Sequence, residues 1–237
     1  MNNKRVINSN TTFLKIIAII SMTLDHIGII FFPNIIFFRI IGRMSFPLFA
    51  YCTASGCIFT KNIKKYILRL FVLGFISQPI YIWAFDLNLN DIIYSPNILF
   101  TLAYGAVVIC FLQNKQYIYC LFLVIASLFV NLDYGVMGIG LIILFYVFRE
   151  KRLFLLIVCG CYLASEFIGS LNIQIGNIYI NAQGFSVLSI PIIAKEVAFK
   201  PRINKYFFYL YYPLHLLLQI LLERYAYSEI SGTFILI

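Results

Sequence analysis

Four ionisable residues lie where this chain is most apolar. Asp25 and His26 stand side by side in SMTLDHIGIIFF (residues 21–32), and Arg39 and Arg43 follow in FFRIIGRMSFP (residues 37–47). A histidine can take up and release a proton near neutral pH, which suits it to general base work. A guanidinium can stabilise a developing oxyanion or hold an anionic group. All four are costly in hydrocarbon, so they are expected to face an interior rather than lipid. The chain turns between them at Pro33 and Asn34, with Asp25 nine residues before Asn34 and Arg43 nine after it. Two helices joined there would bring Asp25 and Arg43 to the same depth, roughly 13 Å from the turn at 1.5 Å per residue. Arg39 and Arg43 are four apart and share a helix face.

Other polar groups fall at comparable depth. Glu166 in CYLASEFIG sits well inside a seventh apolar segment, and Asn97 and Thr101 in SPNILFTL open a fourth. His215 in YLYYPLHLLLQ follows Pro213, which loosens the local backbone, and Tyr211 and Tyr212 stand beside it. Each also has a plain structural reading. Asp25 and Arg43 would serve as a packing ion pair, Asn97 as a helix cap, and His215 as a satisfied core residue.

The elements that must position these groups are helices in a bilayer. Of 237 residues, 62% are hydrophobic and 11% charged, and the mean hydropathy is +0.92. Soluble domains carry about 25% charged residues, so this chain has too little polar surface for a water-soluble globule. The net charge of +9 does not imply nucleic acid, because no hydrophilic surface is left to bind it. Six cysteines, none in a CxxC pair or a metal-like cluster, read as small core residues, and no metal site is expected. About nine spans fit, near 13–32, 35–59, 67–85, 97–113, 117–132, 134–148, 153–171, 178–195 and 206–223. The fifth and sixth barely reach the length a bilayer needs, and the eighth is weakened by its polar start and Pro191. The first run lacks a small-residue cleavage site and is expected to remain as a transmembrane helix.

Charge orients the bundle. Lys4, Arg5 and Lys15 precede or open the first span; Lys61, Lys64, Lys65 and Arg69 follow the second. Lys115, then Arg149, Lys151 and Arg152, then Lys195, Lys200, Arg202 and Lys205 mark the next loops on that side. The opposite loops carry Asp86, Asp91 and Asp133. The positive-inside rule then predicts an all-α, polytopic helix bundle in the cell membrane, with the N-terminus inside and the C-terminus outside. No repeat or long linker divides it, so residues 1–237 form one domain. The cluster Lys61, Lys64, Lys65 and Arg69 is first a topology signal, and second a cytoplasmic patch for donor phosphates.

The chain resembles the TraX family of membrane acyltransferases. The resemblance runs through FLKIIAIISMTLDHIG (13–28), RIIGRMSFPLFAYCTASG (39–56), KYILRLFVLGFISQPIY (65–81), NILFTLAYG (97–105), DYGVMGIG (133–140) and KYFFYLYYPLHLLLQ (205–219). The Asp-His pair followed by RxxGRxxFPxFA is its most specific part. The resemblance implies an integral membrane acetyltransferase, whose name-giving member acetylates the N-terminal amine of conjugative pilin subunits. It implies His26 as the catalytic histidine with Asp25 beside it, and Arg39 and Arg43 as the paired arginines. Asn97, Thr101 and His215 would be further motif positions.

The expected reaction is transfer of an acetyl group from cytoplasmic acetyl-CoA to an amine or hydroxyl of an exported peptide, lipid or glycan. His26 would act as general base, or carry the acetyl group transiently. Asp25 would pair with Arg43 and leave Arg39 for the oxyanion or the acceptor. Asn97, Thr101, Glu166, Tyr212 and His215 would contact substrate, and the donor would enter near Lys65 and Arg69. The rival classes are a transporter or channel with a midplane polar site, against which the lack of an inverted repeat counts, and a non-catalytic partner of a secretion or pilus machine.

Overall fold

The computed structural model describes residues 6–88, 95–168, 173–175, 178–199 and 201–231. Lys4, Arg5, Asp91 and Lys200, used above to orient the chain, lie outside the described residues. Eleven α-helical segments occur among the described residues, with a π-turn, two 3-10 turns and one short antiparallel hairpin, β1 (Ile173–Ile175) and β2 (Ile178–Ile180). The bundle is helical, as the sequence predicts. Among the described residues two helices are long and apolar enough to cross a bilayer, and they fall in α1 (Thr11–Phe31) and α4 (Ile63–Ala84).

The second predicted span is two helices, α2 (Ile36–Gly42) and α3 (Ser45–Phe59). Pro47 is the reason. In a continuous helix its ring would collide with the carbonyl of Arg43, four residues back, whereas in the first turn of a new helix its missing N–H costs nothing. Arg43 and Met44 join the two helices, and α2 packs along α1. α3 is the central helix, with twelve of its fifteen residues buried, so it shows no polar face. Its small residues, Ala50, Cys52, Ala54 and Cys57, let α1, α5 (Ile98–Gln113) and α7 (Gly135–Val147) approach closely. α6 (Tyr117–Ala126) lies against α5 and spans only about 15 Å.

The seventh predicted span is irregular. It runs as α8 (Arg152–Phe154), a π-turn (Leu155–Cys159), α9 (Gly160–Ala164) and a 3-10 turn (Ser165–Ile168). The eighth is shorter than expected: the hairpin, a 3-10 turn (Ala182–Leu188), then α10 (Ser189–Ala194), which packs on α3. α11 (Lys205–Ser231) passes through Pro213 and packs on α4 and α1.

One end of the bundle is fastened by its polar loops. The Ile7 N–H donates to the Arg149 carbonyl at 2.8 Å. The Asn8 side chain donates to the Lys195 carbonyl at 3.1 Å, and Gln113 Nε2 to the Cys57 carbonyl at 3.0 Å. The basic loops before α1, between α7 and α8, and after α10 are therefore neighbours in space. At the other end Asn97 joins α4 to α5. Its Oδ1 caps α5 by accepting from the Leu99 N–H at 3.1 Å, while its Nδ2 donates to the Gly74 carbonyl at 2.9 Å and to Gln78 Oε1 at 2.7 Å. Asn97 is fully buried. Asn97→Ala removes a cap and two side-chain bonds to α4, while Gln78 Oε1 keeps the backbone N–H of residue 97, a loss of about 1–3 kcal/mol. Thermal unfolding in detergent should show a clearly lower midpoint than wild type; an unchanged midpoint would remove the joint.

Candidate active site

The break after Gly42 decides the site. With α2 laid along α1, the Asp25 carboxylate receives both arginines, one on each oxygen. Arg39 Nη1 donates to Oδ1 at 3.1 Å and Arg43 Nη2 to Oδ2 at 3.0 Å. Arg43 Nη1 donates further to Gln183 Oε1 at 3.2 Å, which ties α2 to the 3-10 turn before α10. Arg39 is thus held by Asp25 as firmly as Arg43 is, where the sequence suggested that it stays free. The close approach needs glycine. A Cβ at Gly42 would run into the Asp25 side chain.

His26, next to Asp25 on α1, points to another group of residues. Its ring stacks on His215 of α11 at 5.4 Å between centroids, and His215 stacks on Tyr211 at 5.3 Å. Tyr211 returns to α1 through a hydroxyl contact with Thr23 at 2.5 Å. His215 Nδ1 lies 3.1 Å from the Tyr211 carbonyl. A carbonyl only accepts, so this nitrogen carries the proton and His215 Nε2 keeps its lone pair. The Gln219 side chain lies close to the His26 ring. His26 Nδ1, Arg43 Nε, His215 Nε2 and Gln219 Nε2 are nevertheless buried without a hydrogen-bond partner. Buried polar atoms are normally satisfied. Three of these atoms belong to the His26, His215 and Gln219 side chains and the fourth to Arg43.

His26 and Arg43 adjoin a cavity of about 560 Å³. Asp25, His26, Arg39, Arg43, Glu166 and Tyr212 all line it. His215 sits behind His26, and Asn97 and Thr101 lie outside its wall. Thr101 is fully buried, and its hydroxyl donates to the Asp133 carbonyl, so it fixes a wall residue from behind. Lys65 and Arg69 are exposed at the start of α4 and do not line the cavity.

Asp133, Tyr134, Gln183 and Tyr81 also line the cavity, though the sequence did not point to them as site residues. Tyr134 has a left-handed backbone (φ 61°) and stacks on Phe46 at 3.9 Å. Such a conformation in a residue with a side chain is held by its surroundings and concentrates at functional sites. The available signal was the polar block DYG at the mouth of an apolar run. Gln183 had none, because it reaches Arg43 across 140 residues of chain.

A profile of the family described as TraX protein matches residues 10–223. The chain is 38% identical over 100 residues to a protein named probable fimbrial assembly protein FimC, serogroup H1, of Dichelobacter nodosus; the match covers 38% of this chain and 41% of that one. It is 28% identical over 155 residues to the uncharacterized protein RP591 of Rickettsia prowazekii (strain Madrid E), covering 62% of this chain and 58% of that one. The aligned part thus spans about two fifths and under three fifths of these relatives' lengths. No solved structure matches the chain significantly.

Gly42→Ala should drive α2 from α1 and part the carboxylate from its arginines, lowering stability by about 1–3 kcal/mol. Gly160→Ala, where an added methyl meets nothing within 4 Å, is the control and should unfold with the wild type. Equal midpoints for the two variants would show that the α1–α2 contact is not tight.

Proposed function

The chain belongs to the TraX family, and from that premise we propose that it is an integral membrane acyltransferase. It moves an acetyl group from cytoplasmic acetyl-CoA to the amine of an exported, pilin-type peptide. The observation that carries this reading is His26, a cavity-lining histidine with an unpartnered Nδ1, beside two arginines fixed by one buried carboxylate. The fimbrial name of one relative favours a pilin-type acceptor over a lipid or glycan. The bundle sits in the cell membrane with its N-terminus inside and its C-terminus outside. The apolar residues on its outside, such as Phe129 at 84% exposed and Ile118 at 83%, suit lipid and not water.

The residues divide the chemistry. The acceptor nitrogen attacks the thioester carbonyl carbon, forming the C–N bond, while His26 takes the proton that nitrogen loses. Negative charge gathers on the carbonyl oxygen. The guanidinium N–H groups of Arg39 and Arg43 that are not committed to Asp25 or Gln183 are the donors at hand to meet it. The C–S bond then breaks, and the thiolate leaves as the free thiol with the proton His26 held. Asp25 keeps both guanidinium groups in place, and His215 orients the His26 ring by stacking on it. Tyr212 and Glu166 line the same space and contact substrate, while Asn97 and Thr101 act through the walls they hold.

The experiment is acetyl-CoA turnover by the full chain in nanodiscs, read as free thiol release, with a peptide bearing a free pilin-type N-terminus. His26→Ala should lower the rate by about 10²–10⁴-fold, the range of a general base. The same peptide with a blocked N-terminus should release no thiol. Turnover that survives His26→Ala would refute the assignment.

A further inference from the structure

A second cavity, of about 100 Å³, lies between α1, α3, α4, α5 and α11. It shares four wall residues with the larger one: Met22, Phe49, Ile98 and Tyr212. The two are chambers in series. One face of α1 shows the order, with Lys15 and Ile19 on the small chamber, Met22 on both, and Asp25, His26 and Ile29 on the large one. α11 repeats it, with Phe208 and Tyr209 on the small chamber, Tyr212 on both, and Leu216 on the large one. The four shared residues lie between the two.

The small chamber has a polar end and an apolar throat. Lys15, one turn inside α1, is half-buried at the end of the bundle where the basic loops meet. Its ammonium lies 5.4 Å from the centre of the Phe208 ring and has no carboxylate partner among the described residues. Beyond it the wall is Ile19, Leu70, Leu99 and Leu102, with Thr53 and tyrosines as its polar members. A slender, uncharged chain carrying an anionic group at its outer end fits this gradient. From Lys15 to His26 is eleven residues of helix, about 16 Å. The phosphopantetheine arm that carries acyl thioesters has the reach of between four and five fully extended residues, on the order of 16 Å.

We propose that the small chamber is the passage for the phosphopantetheine arm of the acyl donor, with Lys15 at its phosphate and the thioester passing Met22, Phe49, Ile98 and Tyr212 to reach His26. The proposal rests on the acyltransferase reading. It moves the donor's path from Lys65 and Arg69, which line neither chamber, to the face of α1. No bond changes in the passage; the thioester is cleaved only beside His26. Coenzyme A and acyl carrier protein present the same arm, so either source fits the passage.

The test measures binding to the full chain in nanodiscs, using acetyl-CoA, acetylated acyl carrier protein and S-acetylpantetheine, which lacks the phosphate. Ile19→Trp should fill the small chamber and weaken all three at least tenfold. Lys15→Ala should weaken the two phosphate-bearing donors severalfold and leave S-acetylpantetheine unchanged. That contrast is internal to one variant, so it holds even if Ile19→Trp does not fold. His26→Ala should keep wild-type binding of all three. Whichever phosphate-bearing donor binds the more tightly is the source. Wild-type binding in both Ile19→Trp and Lys15→Ala would overturn the passage, whatever becomes of catalysis. Intact passage behaviour without His26-dependent thiol release would instead overturn the acyltransferase reading and leave a thioester-binding channel.

Discussion

Everything at the centre of this bundle depends on one carboxylate holding two guanidinium groups. Asp25 lies on a mostly apolar helix, where an unpaired charge would be costly. Its two oxygens each take one arginine, so the group enters the interior with its charge more than matched. The surplus positive charge is the useful part. It is fixed in direction, lies along a cavity, and leaves Arg43 Nε without a protein partner. A buried pair of this kind is weak support for stability, because desolvation takes back much of the attraction. Here it orders a site.

The geometry is made by backbone features that carry no charge. Pro47 starts a new helix, the break lets α2 fold along α1, and Gly42 lets the two helices meet at Asp25. α3, buried on all sides, supplies a rigid floor beneath the cavity. The other wall is less regular, with Glu166 and Gln183 from two 3-10 turns and the left-handed Tyr134. Regular helices hold Asp25, His26 and Arg39, and the irregular wall closes the space they face. A left-handed backbone at a residue with a side chain is a feature that concentrates at functional sites.

The two chambers give the bundle a direction. Lys15, Met22 and His26 follow one another along a single helix face from the basic end to the charged cavity. The face that lines the passage is also the face that carries the histidine. One helix therefore sets both the path and its endpoint.

The sequence by itself determined the helical class, the basic end, and the identity of Asp25, His26, Arg39 and Arg43 as interior groups. Each follows from local physics: long apolar runs, the cost of charge in them, and a turn at Pro33 and Asn34 that equalises depth. It also exposed the dual nature of Asn97, which the structure places in a joint and not on the cavity wall. Only the tertiary structure decided which arginine Asp25 holds, because the answer is both and depends on how α2 packs along α1. It alone brought Gln183 to Arg43 and stacked His215 on His26, since neither pairing has any signature in spacing along the chain. It alone placed Lys15, read from sequence as an orienting charge, on the wall of a chamber that leads to His26. Local sequence fixes what a residue can do and how deep it lies, while packing between distant helices fixes what it meets.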